Sequence, residues 1–182
     1  SQLRHFAAKL NSAYISSREE LFDFAKELAE VFKSRNRKKR EMLDAGAENA
    51  EIYQKMRSER RKWIFVSDFS GFLDIVYKTG EKTGVMAPFF ENILEKGRLH
   101  NIYFVFDINT DETINMLSRK LYGIVTGYRT GVHLGGALAN QKIFDCSSVP
   151  YIEQTKTYKP GIGVAFDADG ATKIVLPSSK GV

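Results

Sequence analysis

The clearest pattern along the chain begins at Leu21. Leu21, Phe24, Ala25, Leu28, Val31 and Phe32 recur at three- and four-residue steps, the spacing of one helical face. Ser16 and Ser17 precede them as N-cap candidates, and Glu19 and Glu20 fill the first turn, where the helix dipole favours acids. Past Phe32 the positions turn basic, then Met42 and Leu43 restore apolar character before Gly46 stops the run. The pattern predicts a long helix over residues 16–45, docked at its front half and solvated over Arg35–Arg40. A shorter helix over 48–56 leads into a different signal. Trp63, Ile64, Phe65 and Val66 are continuously apolar over a strand's length and end at Ser67 and Asp68.

Beyond Asp68, glycine and proline punctuate the chain. Phe72, Leu73, Ile75 and Val76 suggest a short helix, and Pro88 opens another with Phe89, Phe90, Ile93 and Leu94 inward, closed by Gly97. Ile102–Phe106 is apolar on both faces, as parallel strands covered by helices tend to be. Asp111 and Glu112 open a helix over Ile114, Met116 and Leu117. Tyr122–Tyr128 reads as a strand and Val132–Leu134 as a short one. Gly161–Phe166 and Thr172–Leu176 are strands joined by a hairpin turn at Asp167, Ala168, Asp169 and Gly170. Ser178–Val182 reads as a frayed end. Strands alternating with helices predict an α/β fold, a parallel sheet with helices on both faces, ending in a β-hairpin. Residues 1–182 read as one domain, with the hairpin over 159–177.

Composition narrows the setting. A chain of 182 residues suits a domain large enough to bury a core. No apolar run approaches the roughly 20 residues that cross a bilayer, and no signal peptide is visible. One cysteine, Cys146, excludes an internal disulfide and fits a reducing compartment. One cysteine and three scattered histidines supply no zinc ligand set. The net charge of +5 is concentrated locally. Arg35, Arg37, Lys38, Lys39 and Arg40 form one basic cluster, and Arg57, Arg60, Arg61 and Lys62 another. Such clusters follow phosphates or acidic surfaces, or they are solvated helix faces.

Candidate chemistry centres on Asp68. A strand that delivers an aspartate at its C-terminal end is how P-loop ATPases hold the magnesium of a bound nucleotide. The same residue also reads as the N-cap of the following helix, with Ser70 nearby. No G-x-x-x-x-G-K-[ST] occurs in the chain, so a loop to cradle phosphates is absent from it. Two readings follow: part of an ATPase fold, or an ATPase-like fold that does not hydrolyse. Asp167, Asp169 and Gly170 resemble a calcium loop superficially, but no acid stands at its far end, and the hairpin turn accounts for them. His133, between Val132 and Leu134, reads as structural. Cys146, with no base beside it in sequence, reads as inert.

Four stretches together resemble the FtsK/SpoIIIE family of RecA-like motor ATPases, and within it the last, degenerate ATPase-like domain of the EssC/EccC proteins of type VII secretion. They are the basic-ended helix Phe24–Leu43 with Arg35, Asn36 and Arg37; the strand Ile64–Asp68; and Glu95-x-Gly97-Arg98-x-x-Asn101-Ile102. The fourth comprises Thr130–Gly136 with Lys159–Gly163 later. The resemblance implies a RecA-like P-loop-type sheet whose phosphate-loop part lies upstream. It implies ATP and Mg2+ as cofactors, weak or absent here, with Asp68 as a relic magnesium ligand. Arg98 either reaches a neighbouring subunit's nucleotide or pairs with Glu95 on the surface. Active relatives follow the strand aspartate with a glutamate that polarises water; here the neighbour is Phe69, which cannot accept a proton. Asp107, Ile108 and Asn109 stand where the family carries a Thr-Gln pair. The chain is therefore expected to be inactive alone.

The partners implied are other ATPase domains of a hexameric, membrane-associated parent on the cytoplasmic side of a bacterial membrane, further copies of the chain, and small helical WXG100-like exported proteins. Phe69, Phe72, Tyr77, Tyr151 and Tyr158 lie outside clean periodicities and are the expected patch for such a protein, if exposed together. The expected role is regulation of the motor, substrate-protein binding, or both. The alternative is an active FtsK-like DNA translocase using the basic helix. Phe69 and the missing loop disfavour it, and Arg35–Arg40 lacks interleaved aromatics on which bases would stack.

Overall fold

The structure is a computed structural model that describes residues 2–80 and 84–176. The tail expected to fray, Ser178–Val182, lies outside the described residues. The chain divides into two compact units, residues 1–107 and 108–182.

The first unit contains α1 (Gln2–Lys9), α2 (Arg18–Asp44) and α3 (Asn49–Ser58), then β1 (Lys62–Val66), α4 (Phe69–Tyr77), α5 (Ala87–Lys96) and β2 (Ile102–Phe106). Helix α2 starts where its chemistry says it should. The Ser17 hydroxyl accepts the Glu20 N–H at 3.1 Å, and the Glu20 carboxylate accepts the Ser17 N–H at 3.0 Å. That reciprocal box satisfies donors the first helical turn leaves open. Leu21, Ala25 and Leu28 form its buried stripe. Strands β1 and β2 pair in parallel, with Trp63 opposite Tyr103 and Phe65 opposite Val105.

One face of this pair is sealed. Phe106 packs on Phe69 and Phe72, and Phe72 meets Phe90 edge-on at 5.0 Å, joining sheet, α4 and α5. Leu73, Val76 and Ile93 complete that core. The far end of α4 is held by Arg18, whose guanidinium donates to the carbonyls of Ile75, Lys78 and Gly84.

The second unit contains α6 (Lys120–Gly127), β3 (Gly131–Gly136), α7 (Tyr151–Thr155), β4 (Tyr158–Asp167) and β5 (Gly170–Val175). The three strands form an antiparallel meander in the order β3-β4-β5. The β4–β5 hairpin turns at the expected Asp167–Gly170, and Gly170 takes φ +126°, a conformation L side chains rarely adopt. Its core is Leu138, Tyr158, Val164 and Phe166, with Phe144 stacked on Phe166 at 4.6 Å.

Two elements differ from the sequence reading. Residues 120–127 are helical, not a strand. Leu121 and Tyr122 are buried on this helix, so burial overrides the strand preference of Tyr122, Ile124, Val125 and Thr126. Thr110–Asn115 is a 3-10 turn, not an α-helix, capped by the Asn109 side chain accepting the Asp111 N–H at 3.1 Å. Only Met116 of its expected apolar face is buried; Ile114 and Leu117 are exposed, which leaves a longer helix nothing to pack against.

Candidate functional site

The carboxyl end of the parallel pair gathers the chemistry. Strand β1 runs out at Val66, and Asp68 becomes the N-cap of α4, its Oδ1 accepting the Gly71 N–H at 2.9 Å. Gly71 gives the carboxylate room, since a Cβ would lie 2.4 Å from Asp68 Oδ2 and push that side chain aside. The capping reading of Asp68 is thus realised, and its exposed carboxylate keeps lone pairs free for a cation. Asp107 ends β2 beside it. The Asp107 N–H donates to Val66 O at 2.8 Å and its carbonyl accepts the Phe69 N–H at 3.2 Å, so the two strand ends are tied together.

A magnesium nucleotide fits this edge in part. Mg2+ is bound by one or two carboxylates, waters and phosphate oxygens, and Asp68 and Asp107 are acids of that kind. Among the described residues no cluster of three or more His, Cys, Asp or Glu could enclose a metal. The phosphates find no matching cradle, because the turn from β1 into α4 reads Ser67-Asp68-Phe69-Ser70-Gly71 and holds neither a lysine nor a glycine-rich nest.

Phe69 holds the position next to Asp68 and is only 1% exposed. Its ring lies 4.8 Å from that of Phe106 and 6.3 Å from that of Phe72. A carboxylate there would be forced into an aromatic core, where its charged form is strongly disfavoured. Arg98 sits elsewhere. It is exposed on the 3-10 turn Gly97–His100 that enters β2, at the amino end of the sheet. Because β1 and β2 are parallel, Arg98 and Asp68 lie at opposite ends of the strands and do not form one site within this chain.

The expected aromatic patch is not a surface. Phe69, Phe72 and Tyr158 are buried, because each fills the core of its own unit. Tyr77 is half-buried and donates to Glu91 Oε1 at 3.0 Å. Tyr151 alone of the five is largely exposed. Burial and the neighbouring Glu153 push the Tyr158 hydroxyl's pKa up.

The basic helix also divides. Arg35, expected on a solvated face, is 4% exposed. Its guanidinium donates to the carbonyls of His100, Asn101 and Arg60, and Nε lies 3.8 Å from Glu59 Oε2. Burial lowers its pKa, with Glu59 opposing that shift. Lys38 pairs with the same Glu59 at 2.6 Å, and Arg37 lies 3.8 Å from Glu41. Lys39 and Arg40 complete the cluster. Asn101, in the left-handed region at φ +59°, donates its side-chain amide to the carbonyls of Arg57 and Glu59. Arg35 and Asn101 together fasten the segments that enter β1 and β2. The sequence did carry a signal for its burial, though not for its partners: Leu21, Leu28 and Arg35 are seven apart, on one stripe.

His100 is buried below this clasp, edge-on to Phe32 at 4.7 Å, and its pKa is lowered by burial and by Lys39 and Arg35. In the second unit His133 is buried on β3, as its structural reading requires, with its pKa lowered by burial. Cys146 is half-buried, takes a contact from Gln141 Nε2 at 3.0 Å, and has its pKa raised by burial; a reactive thiolate needs the reverse. What sequence reasoning missed is the opposite face of the parallel pair. Trp63 is 52% exposed, Phe65 74% and Val105 42%, with Tyr103 stacked on Trp63 at 4.8 Å.

No family model and no curated protein matches the chain. Two solved structures do. The cytoplasmic domain of EssC aligns over 96% of this chain with a TM-score of 0.71 and 14% identity. EssC ATPases 2 and 3 from Geobacillus thermodenitrificans align over 92% with a TM-score of 0.62 and 16% identity. The chain spans 31% and 27% of those two chains. The mixed α/β architecture described above, a parallel pair followed by an antiparallel hairpin sheet, is the fold of the EssC ATPase domains.

Proposed function

We propose that this chain is a degenerate ATPase-type domain of a type VII secretion motor, acting through protein contacts in regulation or in binding exported proteins and not through hydrolysis of its own. The observation that carries the reading is Phe69: a buried aromatic where active relatives of the resembled family place the water-polarising glutamate. The likeness in fold to the EssC structures supports it. The dispersal of the Arg35–Arg40 cluster into a buried clasp and surface pairs gives a DNA-translocating role little to use. Its partners on this reading are other ATPase domains of a membrane-bound parent and small helical exported proteins. Among the described residues no helix is long and apolar enough to cross a membrane.

The test is steady-state phosphate release from Mg-ATP, run beside titration of the chain with a purified helical-hairpin export protein. No turnover above the buffer rate, together with saturable binding of the export protein, is the expected result. Turnover that disappears in Asp68→Ala would overturn the reading. So would the absence of binding in the presence of the other ATPase domains.

A further inference from the structure

Positive charge gathers at the amino end of the parallel pair. Residues 52–66 and 96–106 carry Lys55, Arg57, Arg60, Arg61, Lys62, Lys96 and Arg98 against a single acid, Glu59. That acid is already taken by Arg35 and Lys38. Among the described residues, the exposed Arg57, Arg60, Arg61, Lys62 and Arg98 have no carboxylate partner.

The two stretches are neighbours in space. The Asn101 amide donates to the carbonyls of Arg57 and Glu59, and the Arg35 guanidinium to those of Arg60, His100 and Asn101. The Lys62 N–H donates to Asn101 O. A buried clasp therefore holds these cations on a fixed backbone. Arg57 lies over the Tyr53 ring at 5.5 Å and Arg61 over the Tyr103 ring at 5.8 Å. A guanidinium resting on a ring keeps its N–H edge available to an oxyanion. One aliphatic group interrupts the charge. Leu99 is exposed on the 3-10 turn beside Arg98, while Gly97 and His100 of the same turn are buried.

We propose that this end of the molecule docks peripherally on an anionic lipid surface. Arg57, Arg60, Arg61, Lys62 and Arg98 meet the headgroup phosphates, and Leu99 and the exposed Tyr53 enter the interfacial layer. Each uncompensated cation is drawn to an anionic leaflet, and arginine forks match phosphate oxygens in pairs. That much suits any polyanion, and Leu99 decides among them. A nucleic acid offers phosphates, but its bases stack on rings and gain nothing from an aliphatic side chain. A helical protein lays an apolar stripe into a groove, whereas Leu99, between Arg98 and the buried His100, makes a point of insertion. The headgroup boundary accepts such a leucine and a tyrosine beside arginines. The surface lies at the opposite end of the strands from Asp68 and Asp107, so docking leaves that acidic edge open. It goes beyond the motor reading and owes nothing to it.

The test is co-sedimentation of the chain with vesicles of phosphatidylcholine alone or with one third phosphatidylglycerol, without nucleotide. Binding to the anionic vesicles should be at least about tenfold stronger than to the neutral ones. It should fall at least about tenfold in the double variant Arg61→Gln, Arg98→Gln and about threefold in Leu99→Ser. The double variant Lys142→Gln, Lys159→Gln removes the same charge from the second unit and should change binding by less than about twofold. Exchange protection of α4, equal in all forms, shows that the first unit remains folded. Absent or equal binding to the two vesicles would overturn the proposal, and so would equal losses in the two double variants. Tighter binding of a single-stranded oligonucleotide would assign the patch to nucleic acid, and tighter binding of an acidic helical protein would assign it to a protein; each also overturns it.

Discussion

The two sheets of this protein solve the same problem differently. The antiparallel meander of the second unit fills one face with Leu138, Tyr158, Val164 and Phe166 and links β4 to β5 through a two-residue hairpin connection. Its outer side carries scattered aliphatics such as Val132 and Leu134, which is ordinary for an antiparallel sheet with one solvated face. The parallel pair of the first unit has no such local closure. Its strands are joined through α4 and α5, and its outer side is a contiguous aromatic surface. A hairpin sheet is complete when its own sequence ends; a parallel pair is complete only when something lies beside and above it.

The sharpest way to break the contrast is Arg35→Ala. It strips donors from the carbonyls of His100, Asn101 and Arg60 and leaves Glu59 without its buried partner. Loss of one member of a buried charged cluster costs about 3 kcal/mol. Trp63, the chain's single tryptophan, reports on the first unit, so urea denaturation followed by its fluorescence should show the loss. The second unit, followed by exchange protection of β4, should keep its stability. Equal losses in both would mean the units unfold as one.

The reciprocal change is Gly163→Ala in β4. A Cβ there would stand 2.4 Å from His133 O, and backbone atoms cannot yield as a flexible side chain can. Overpacking of this kind costs about 2 kcal/mol. Exchange protection of β3 and β4 should fall while the Trp63 transition stays in place.

Acid should weaken both units through their buried histidines. The pKa of His100 is depressed in the folded state, first by burial and then by Lys39 and Arg35. The stability it contributes is therefore fully present above the unfolded value of about 6.5 and is lost as pH falls below it toward the folded pKa. One such group gives a slope of at most about 1.4 kcal/mol per pH unit. Denaturation at pH 7 and pH 5.5 checks this, with His100→Phe expected to flatten the profile of the first unit only. His133 should contribute the same sign to the second.

Asp68→Ala should cost the first unit about 1 kcal/mol through loss of the α4 cap. Asp68→Ser should recover most of it, because serine also accepts from a helical N–H. If Mg2+ shifts the melting of the wild type and not of Asp68→Ser, the carboxylate binds the ion in addition to capping the helix.

How much of this was legible depends on how local the cause is. Helix α2 could be read because its cap, dipole and stripe lie within one stretch, and the hairpin because its turn residues sit between its strands. Tyr122–Tyr128 misled because β-branched and aromatic residues favour strands, while the burial of Leu121 and Tyr122 is set by the rest of the fold. Arg35 looked solvated among its charged neighbours. The carbonyls it binds come from residues 60, 100 and 101, and no local pattern announces a partner 65 positions away. Phe69 and Phe72 were misjudged for the same reason. Their lack of period reflects a helix that packs against β2 and α5 together, so they were core residues and not a docking patch.

The smallest expected effect bears most directly on the comparison. Phe65 is 74% exposed, so Phe65→Ser removes little contact from the chain alone and should change its stability by less than about 0.5 kcal/mol. An interior aromatic of a finished sheet would cost about 3–5 kcal/mol on truncation. Thermal melts of the wild type and of Phe65→Ser make that measurement. A loss of about 3 kcal/mol or more would mean that Phe65 is packed in solution, and the parallel pair would be as finished as the hairpin sheet that follows it in sequence.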